Sequence, residues 1–204
     1  MNAFDTFLSK SLVNVIKEML GNQTYVKIER MLEKKYSVTI IQSFSDFGKL
    51  YDVLLMLFGK GADSIIESWI DKLISYDKDG KSIIIENRTL SELILRSFGN
   101  LSKKAILQTA RHPDTLPNII KHSRLSRSSG YRLSRELIKD SMLVEDGYII
   151  TNDGKSISKY TTLFNDVKID IMANTIITKV QANKNHIKNS ALLKIKALNH
   201  KNSG

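Results

Sequence analysis

Between Ser126 and Arg135 the chain sets hydroxyls, a phenol and guanidinium groups at helical spacing. Tyr131, Arg132 and Arg135 follow Ser128 at offsets of three, four and seven, so all four share one face of a helix. Arginine's planar fork bonds two acceptors at once and matches the guanine edge in a major groove, where a good pair discriminates by roughly 1–3 kcal/mol. Ser126, Ser128 and Ser129 begin the same helix, where unpaired backbone N–H groups and the helix dipole favour phosphate oxygens. Arg127 in that turn, and Lys103, Lys104, Lys121 and Arg124 ahead of it, add cations that can clamp a polyanion. The competing reading is a solvated helix face, with an arginine paired to Glu136. Tyr131 is equally suited to packing against the segment that follows.

The remaining reactive side chains suggest no chemistry. His112, His122, His186 and His200 share no spacing that would converge on a metal, so they read as surface or turn residues. Gly59-Lys60-Gly61 lacks the length and the closing Lys-Ser/Thr of a phosphate loop. Asp46, Asp52, Glu67 and Asp71 read as solvated helix positions, and no nucleophile stands beside a base. Trp69 and its aromatic neighbours read as core, with a small-ligand pocket between helices as the alternative. Neither an enzyme nor a cofactor is expected.

Composition bounds these readings. The chain has 204 residues, 42% of them hydrophobic and 25% charged, as in a globular protein of one large or two small domains. It has no cysteine, which excludes disulfides and thiolate sites. The longest apolar run, 53–58, is too short to cross a bilayer. The first residues lack an export layout, so a cytoplasmic location is expected. Residues 1–100 hold 13 basic and 13 acidic side chains, so the whole excess of +10 falls in residues 101–204. A basic surface attracts polyanions or an acidic protein partner.

Four apolar stripes precede Gly99-Asn100, the expected boundary between the two halves. Phe4, Phe7, Leu8, Leu12, Val15, Ile16, Met19 and Leu20 form the first, stopped at Gly21-Asn22. Tyr25 to Tyr36 carry the second, Phe44 to Phe58 the third, and Ile65 to Ile74 the fourth. Such stripes pack together as a helical bundle. Residues 38–41 fit helix or strand equally. Residues 82–86 read as a strand with no partner nearby. Thr89-Leu90-Ser91-Glu92 has capping-box spacing and opens a helix that either bridges the halves or pairs with its copy in a dimer.

After that boundary, 101–110 reads as a helix, Asp114 or Thr115 caps a second with Pro117 in its first turn, and Ser126 caps the third. Gly130, Leu133 or Ser134, Leu137 and Ile138 face inward against Ile119, Ile120 and Leu125. Asp146-Gly147 reads as a tight hairpin turn between 142–144 and 148–150, with few nucleic-acid contacts expected from it and Tyr148 an accessory at most. Thr151-Asn152-Asp153-Gly154 reads as the start of a helix reaching 164. Residues 167–171 and 175–180 alternate as a second hairpin, and the tail from 181 reads as polar, basic and flexible, with a frayed helix through Leu192 and Ile195.

On these residues the chain resembles the winged helix-turn-helix transcription regulators of archaea and bacteria, broadly the ArsR/MarR-like group. The likeness is carried by Leu125-Ser126-Arg127-Ser128-Ser129-Gly130-Tyr131-Arg132, then residues 136–145, then Thr151-Asn152-Asp153-Gly154-Lys155, and covers roughly 101–164. It implies a recognition helix, a strand, a wing and a T-x-x-G-K opening of the next helix. Ser134 stands where the family usually has an apolar residue, and Ser141 where it has glycine. The metal-sensing cysteines of some members are absent. Residues 34–74, through Phe58-Gly59-Lys60-Gly61-Ala62, resemble a helical output domain of ammonia-oxidising archaea, which brings no residue-level activity.

The expected architecture is therefore mainly α with small β hairpins: a helical domain over 1–99, a winged helix-turn-helix domain over 100–165, a hairpin over 166–180 and a tail over 181–204. The expected function is sequence-specific binding of double-stranded DNA as a homodimeric transcription regulator. The N-terminal domain would dimerise, take a small-molecule effector or bind a protein. The alternative is a winged-helix module docking an acidic protein, with RNA a weaker third possibility.

Overall fold

The computed structural model describes residues 2–78, 80, 82–173, 175–188 and 190–194. Asn2 starts α1 (Ala3–Tyr36) by accepting from the N–H groups of Phe4 and Asp5. The expected break at Gly21 is present: its backbone is non-helical there, at φ 75°, and the second stripe resumes as the helical segment beyond this kink in α1. The ambiguous stretch resolves as the short helix α2 (Ile40–Ser43), opened by a reciprocal Thr39/Gln42 capping box. The third and fourth stripes give α3 (Phe47–Phe58) and α4 (Ala62–Asp71), which meet across a turn of 3-10 helix at Gly59–Gly61. Trp69 is fully buried among them.

Strands β1 (Ser75–Tyr76) and β2 (Ile83–Ile85) lead into α5 (Arg88–Phe98). Asn87 caps that helix, not Thr89, because its side chain reaches the N–H of Leu90. Helices α6 (Leu101–Thr109), α7 (Leu116–His122) and α8 (Arg127–Lys139) follow, with β3 (Asp114–Thr115) between the first two. The rest is mostly strand: β4 (Leu143–Ile150), β5 (Ser156–Thr162), β6 (Phe164–Met172) and β7 (Thr175–Ala182), then the short α9 (Lys184–Lys188). Among the described residues 59% are helical and 21% lie in strands, so the fold is mixed α/β rather than mainly α with small hairpins.

Two antiparallel sheets organise the strands, in the orders β1-β2-β7-β6 and β3-β5-β4. The strand read as having no partner nearby has one in β1, with Ile84 opposite Ser75, and a second far downstream, with Ile83 opposite Val180 and Ile85 opposite Thr178. The expected 167–171 and 175–180 hairpin is the β6–β7 pair. One hydrophobic core runs through residues on both sides of Gly99. Phe164 meets Phe4 and Phe7 edge-on at 6.5 and 5.2 Å, tying α1 to the start of β6. Helix α5 buries Leu90, Leu93 and Ile94 within this core and so bridges the two halves. Leu192 and Leu193 are buried too, so this stretch of the tail packs; Ile195 and the residues after it lie outside the described ones.

Candidate nucleic-acid interface

Helix α8 begins where expected: Ser126 has extended backbone and its Oγ accepts from the N–H of Ser129 at 3.4 Å. The turn before it reverses the chain through Arg124 in the left-handed region at φ 58°. Gly130, Leu133, Ser134 and Leu137 are buried. A Cβ at Gly130 would stand 2.3 Å from Ile120 Cγ2, so glycine lets α8 cross close over α7. Ser134 is fully buried and its hydroxyl has no hydrogen-bond partner among the described residues, which makes it a polar misfit among apolar neighbours.

Burial of that face turns the other outward. Arg124, Ser126, Arg127, Ser128, Arg132 and Arg135 are exposed, with Ser129 and Tyr131 partly covered. Arg127 lies over the Tyr131 ring at 6.0 Å. Both line a small cleft of about 200 Å³ with Lys121 and Leu125, so Tyr131 leans toward α7 and not toward the hairpin. Arg135, Arg124 and Lys121 make no ion pair among the described residues and remain available.

The other basic residues are placed differently. Arg132 bonds Glu136 at 2.7 Å, and Lys103 reaches the second oxygen of the same carboxylate at 2.9 Å. The bond from Lys103 is the main reason that the Glu136 carboxyl is held below its ordinary range. Lys103 keeps only 14% of its side chain exposed, so it ties α6 to α8 and is not a free phosphate clamp. Lys104 borders a different cavity, with Arg111 and Asp166, on the side of α6 that faces β6.

The hairpin after α8 departs furthest from the sequence reading. Asp146-Gly147 is not its turn but a bulge within β4, with Gly147 at φ 85°. The turn is 151–155, closed by the Thr151 N–H to the Lys155 carbonyl and by the Gly154 N–H to the Thr151 carbonyl. Residues 156–162 are strand, so the helix expected over 151–164 does not form. The longer hairpin exposes Tyr148 by 65% and Ile150 by 70%. Its tip carries Lys155, which the sequence reading missed although Asn152-Asp153-Gly154 is itself a turn signal; Lys155 pairs with Asp153 at 2.7 Å.

Among the described residues no three His, Asp or Glu side chains are grouped to hold a metal. His112 and His122 are exposed, His186 is buried against expectation, and His200 lies outside the described residues. No described helix is long and apolar enough to cross a membrane. Comparison with known proteins finds no matching family model, no matching curated protein and no matching solved structure.

Proposed function

We propose that this chain is a transcription regulator that binds duplex DNA sequence-specifically through a winged helix-turn-helix head over residues 100–165. Helix α8 enters the major groove and the β4–β5 hairpin is the wing. The observation that supports this reading is the split of α8 into a buried face on α7 and an exposed face of arginines and serines. Arg135 and Arg132 are the base-reading candidates. Arg124, Lys121, Arg127 and the serines of the first turn approach phosphates. A two-fold dimer would set two such helices about 34 Å apart, on successive turns of the groove.

Fluorescence anisotropy of the full-length protein with duplexes selected from a random pool tests the reading. Affinity should fall steeply with salt, with a log–log slope of about −0.9 per phosphate neutralised. Arg135→Ala should lower affinity for the selected duplex about tenfold, with the circular dichroism spectrum unchanged. Absence of binding at low salt removes this reading.

One observation favours a second reading, a docking module for a protein. The wing presents Tyr148, Ile149, Ile150 and Ile157 to solvent, an apolar surface more suited to a protein than to phosphates. Competition between duplex DNA and structured RNA in the same assay addresses RNA.

A further inference from the structure

We propose that β6 is the dimer seam of this protein: its open edge pairs antiparallel with β6 of a second copy, centred on Ile169, and joins two four-stranded sheets into one of eight. The strand pairing does not rest on the DNA-binding reading; its use in bringing two reading heads together does. Strand β6 ends the order β1-β2-β7-β6, and among the described residues no strand pairs with its outer edge. It is nine residues long, not one of the very short strands that keep a sheet edge from pairing.

The backbone decides what that edge offers. Only two residues separate Met172 from Thr175, its partner in β7, so this pair is one that exchanges both N–H···O=C bonds. The register then runs unbroken to Asp166, and such pairs alternate along it. Asp170, Lys168 and Asp166 therefore turn their backbone groups to β7, and Ile171, Ile169 and Val167 turn theirs to the open edge. A two-fold axis at Ile169 lets that residue exchange both bonds with its own copy, and sets Ile171 and Val167 to do the same on either side.

Side chains select this register. Lys168 and Asp170 share one face, with their charged ends 3.3 Å apart and Lys168 well exposed. A lysine on an open edge ordinarily deters pairing. Centred on Ile169, each Lys168 stands opposite Asp170 of the second copy, so the four charges alternate in sign around a square. A centre at Lys168 would set two lysines together and Asp166 against Asp170, and a centre at Asp170 would set two aspartates together. On the other face Val167 and Ile169 are half-buried and Ile171 is 67% exposed. The pairing brings Ile171 against Val167 of the second copy, which borders a cavity of about 120 Å³ with Phe98, Leu107 and Phe164. The bare isoleucine thereby gains apolar cover.

Sedimentation equilibrium of the full-length protein tests the seam. A reversible dimer is expected, and a protein still monomeric at roughly 100 μM overturns the proposal. An edge that serves an unrelated protein gives that same monomer. Lys168→Asp and Asp170→Lys should each weaken the dimer about tenfold. Mixed in equal amounts, the two variants should regain the parent's affinity, because one then offers two carboxylates to two ammonium groups of the other. A dimer that neither reversal weakens lies elsewhere, and a mixture that stays monomeric rules out this register; either result overturns the seam. Both variants should also bind the selected duplexes several-fold more weakly, although they change the net charge in opposite directions. DNA binding like the parent's in both overturns the seam's part in reading DNA. If the parent binds no duplex, the regulator reading fails while sedimentation still decides the pairing.

Discussion

Gly130 lies against Ile120 so closely that a methyl group on it would meet Ile120 Cγ2 at 2.3 Å and Cγ1 at 3.0 Å. Ile120 is buried and β-branched, so it has little room to turn aside. Gly130→Ala should therefore lower stability by about 1–3 kcal/mol from overpacking, more than the ~1 kcal/mol gained in helix propensity. Urea unfolding reads the loss, and adding Ile120→Ala should recover part of it. An alanine variant as stable as the parent would show that α7 and α8 do not touch there.

Ser134 offers the opposite sign. Its buried hydroxyl bonds to nothing among the described residues, so removing it relieves an unpaired polar group. Ser134→Ala should raise stability by roughly 1 kcal/mol, with a contribution from alanine's better helix propensity. A destabilised variant in the same denaturant series would mean that the hydroxyl has a partner in solution.

Glu136 holds two cations that the DNA reading would otherwise count as free. Lys103→Met should weaken DNA binding much less than Arg135→Ala, because the Lys103 charge is already spent on Glu136. Glu136→Gln should tighten binding several-fold at low salt, by releasing Arg132 and removing a negative charge from the face. Anisotropy titrations of the three variants check the order. Equal losses for Lys103→Met and Arg135→Ala would show that the ion pair breaks on DNA.

Asp5 couples stability to pH. Its buried carboxylate accepts from the Ser190 hydroxyl at 2.5 Å and the Ala191 N–H at 2.9 Å, which pins the tail onto α1. Burial raises its pKa above the ordinary 3.8, and outweighs the hydrogen bonds that pull it down. The folded state therefore keeps a proton that the unfolded chain has released. The residue's contribution is complete below 3.8 and is lost as pH rises through the folded-state value. The stability of the wild type relative to Asp5→Asn should fall across that window, and a relative stability that rises with pH would show that the hydrogen bonds prevail.

The local signals in the sequence were sound where one element decides its own shape. Ser126 as a cap and the spacing of Gly130, Leu133 and Leu137 sufficed to place α8 and its buried face. The β4–β5 hairpin is ambiguous in the sequence because Asp146-Gly147 and Asn152-Asp153-Gly154 both carry turn chemistry. Thr151 was expected to open a helix, yet its Oγ1 accepts from the Lys155 N–H to close a loop, which is the same hydroxyl chemistry in another setting. Ser141 stood out as a departure from glycine, and the structure holds it at φ 60°, where glycine carries no steric penalty. Lys103 reads as a phosphate contact in the sequence because nothing local reveals Glu136, two helices further on. The burial of His186 depends on the packing of α9, which leaves no trace in nearby residues.

The register of Ile84 opposite Lys179 has a consequence for biosynthesis. A nascent chain exposes the three isoleucines of β2 long before the clasp that covers them has been translated. Until then the edge of β2 that β7 will cover is unpaired, and a bare β-branched rim invites pairing with other chains. Closing so large a loop makes this a late event in folding. A shortened chain that starts after Gly99 would leave β7 with the matching open rim, and would report its own self-association before anything about DNA.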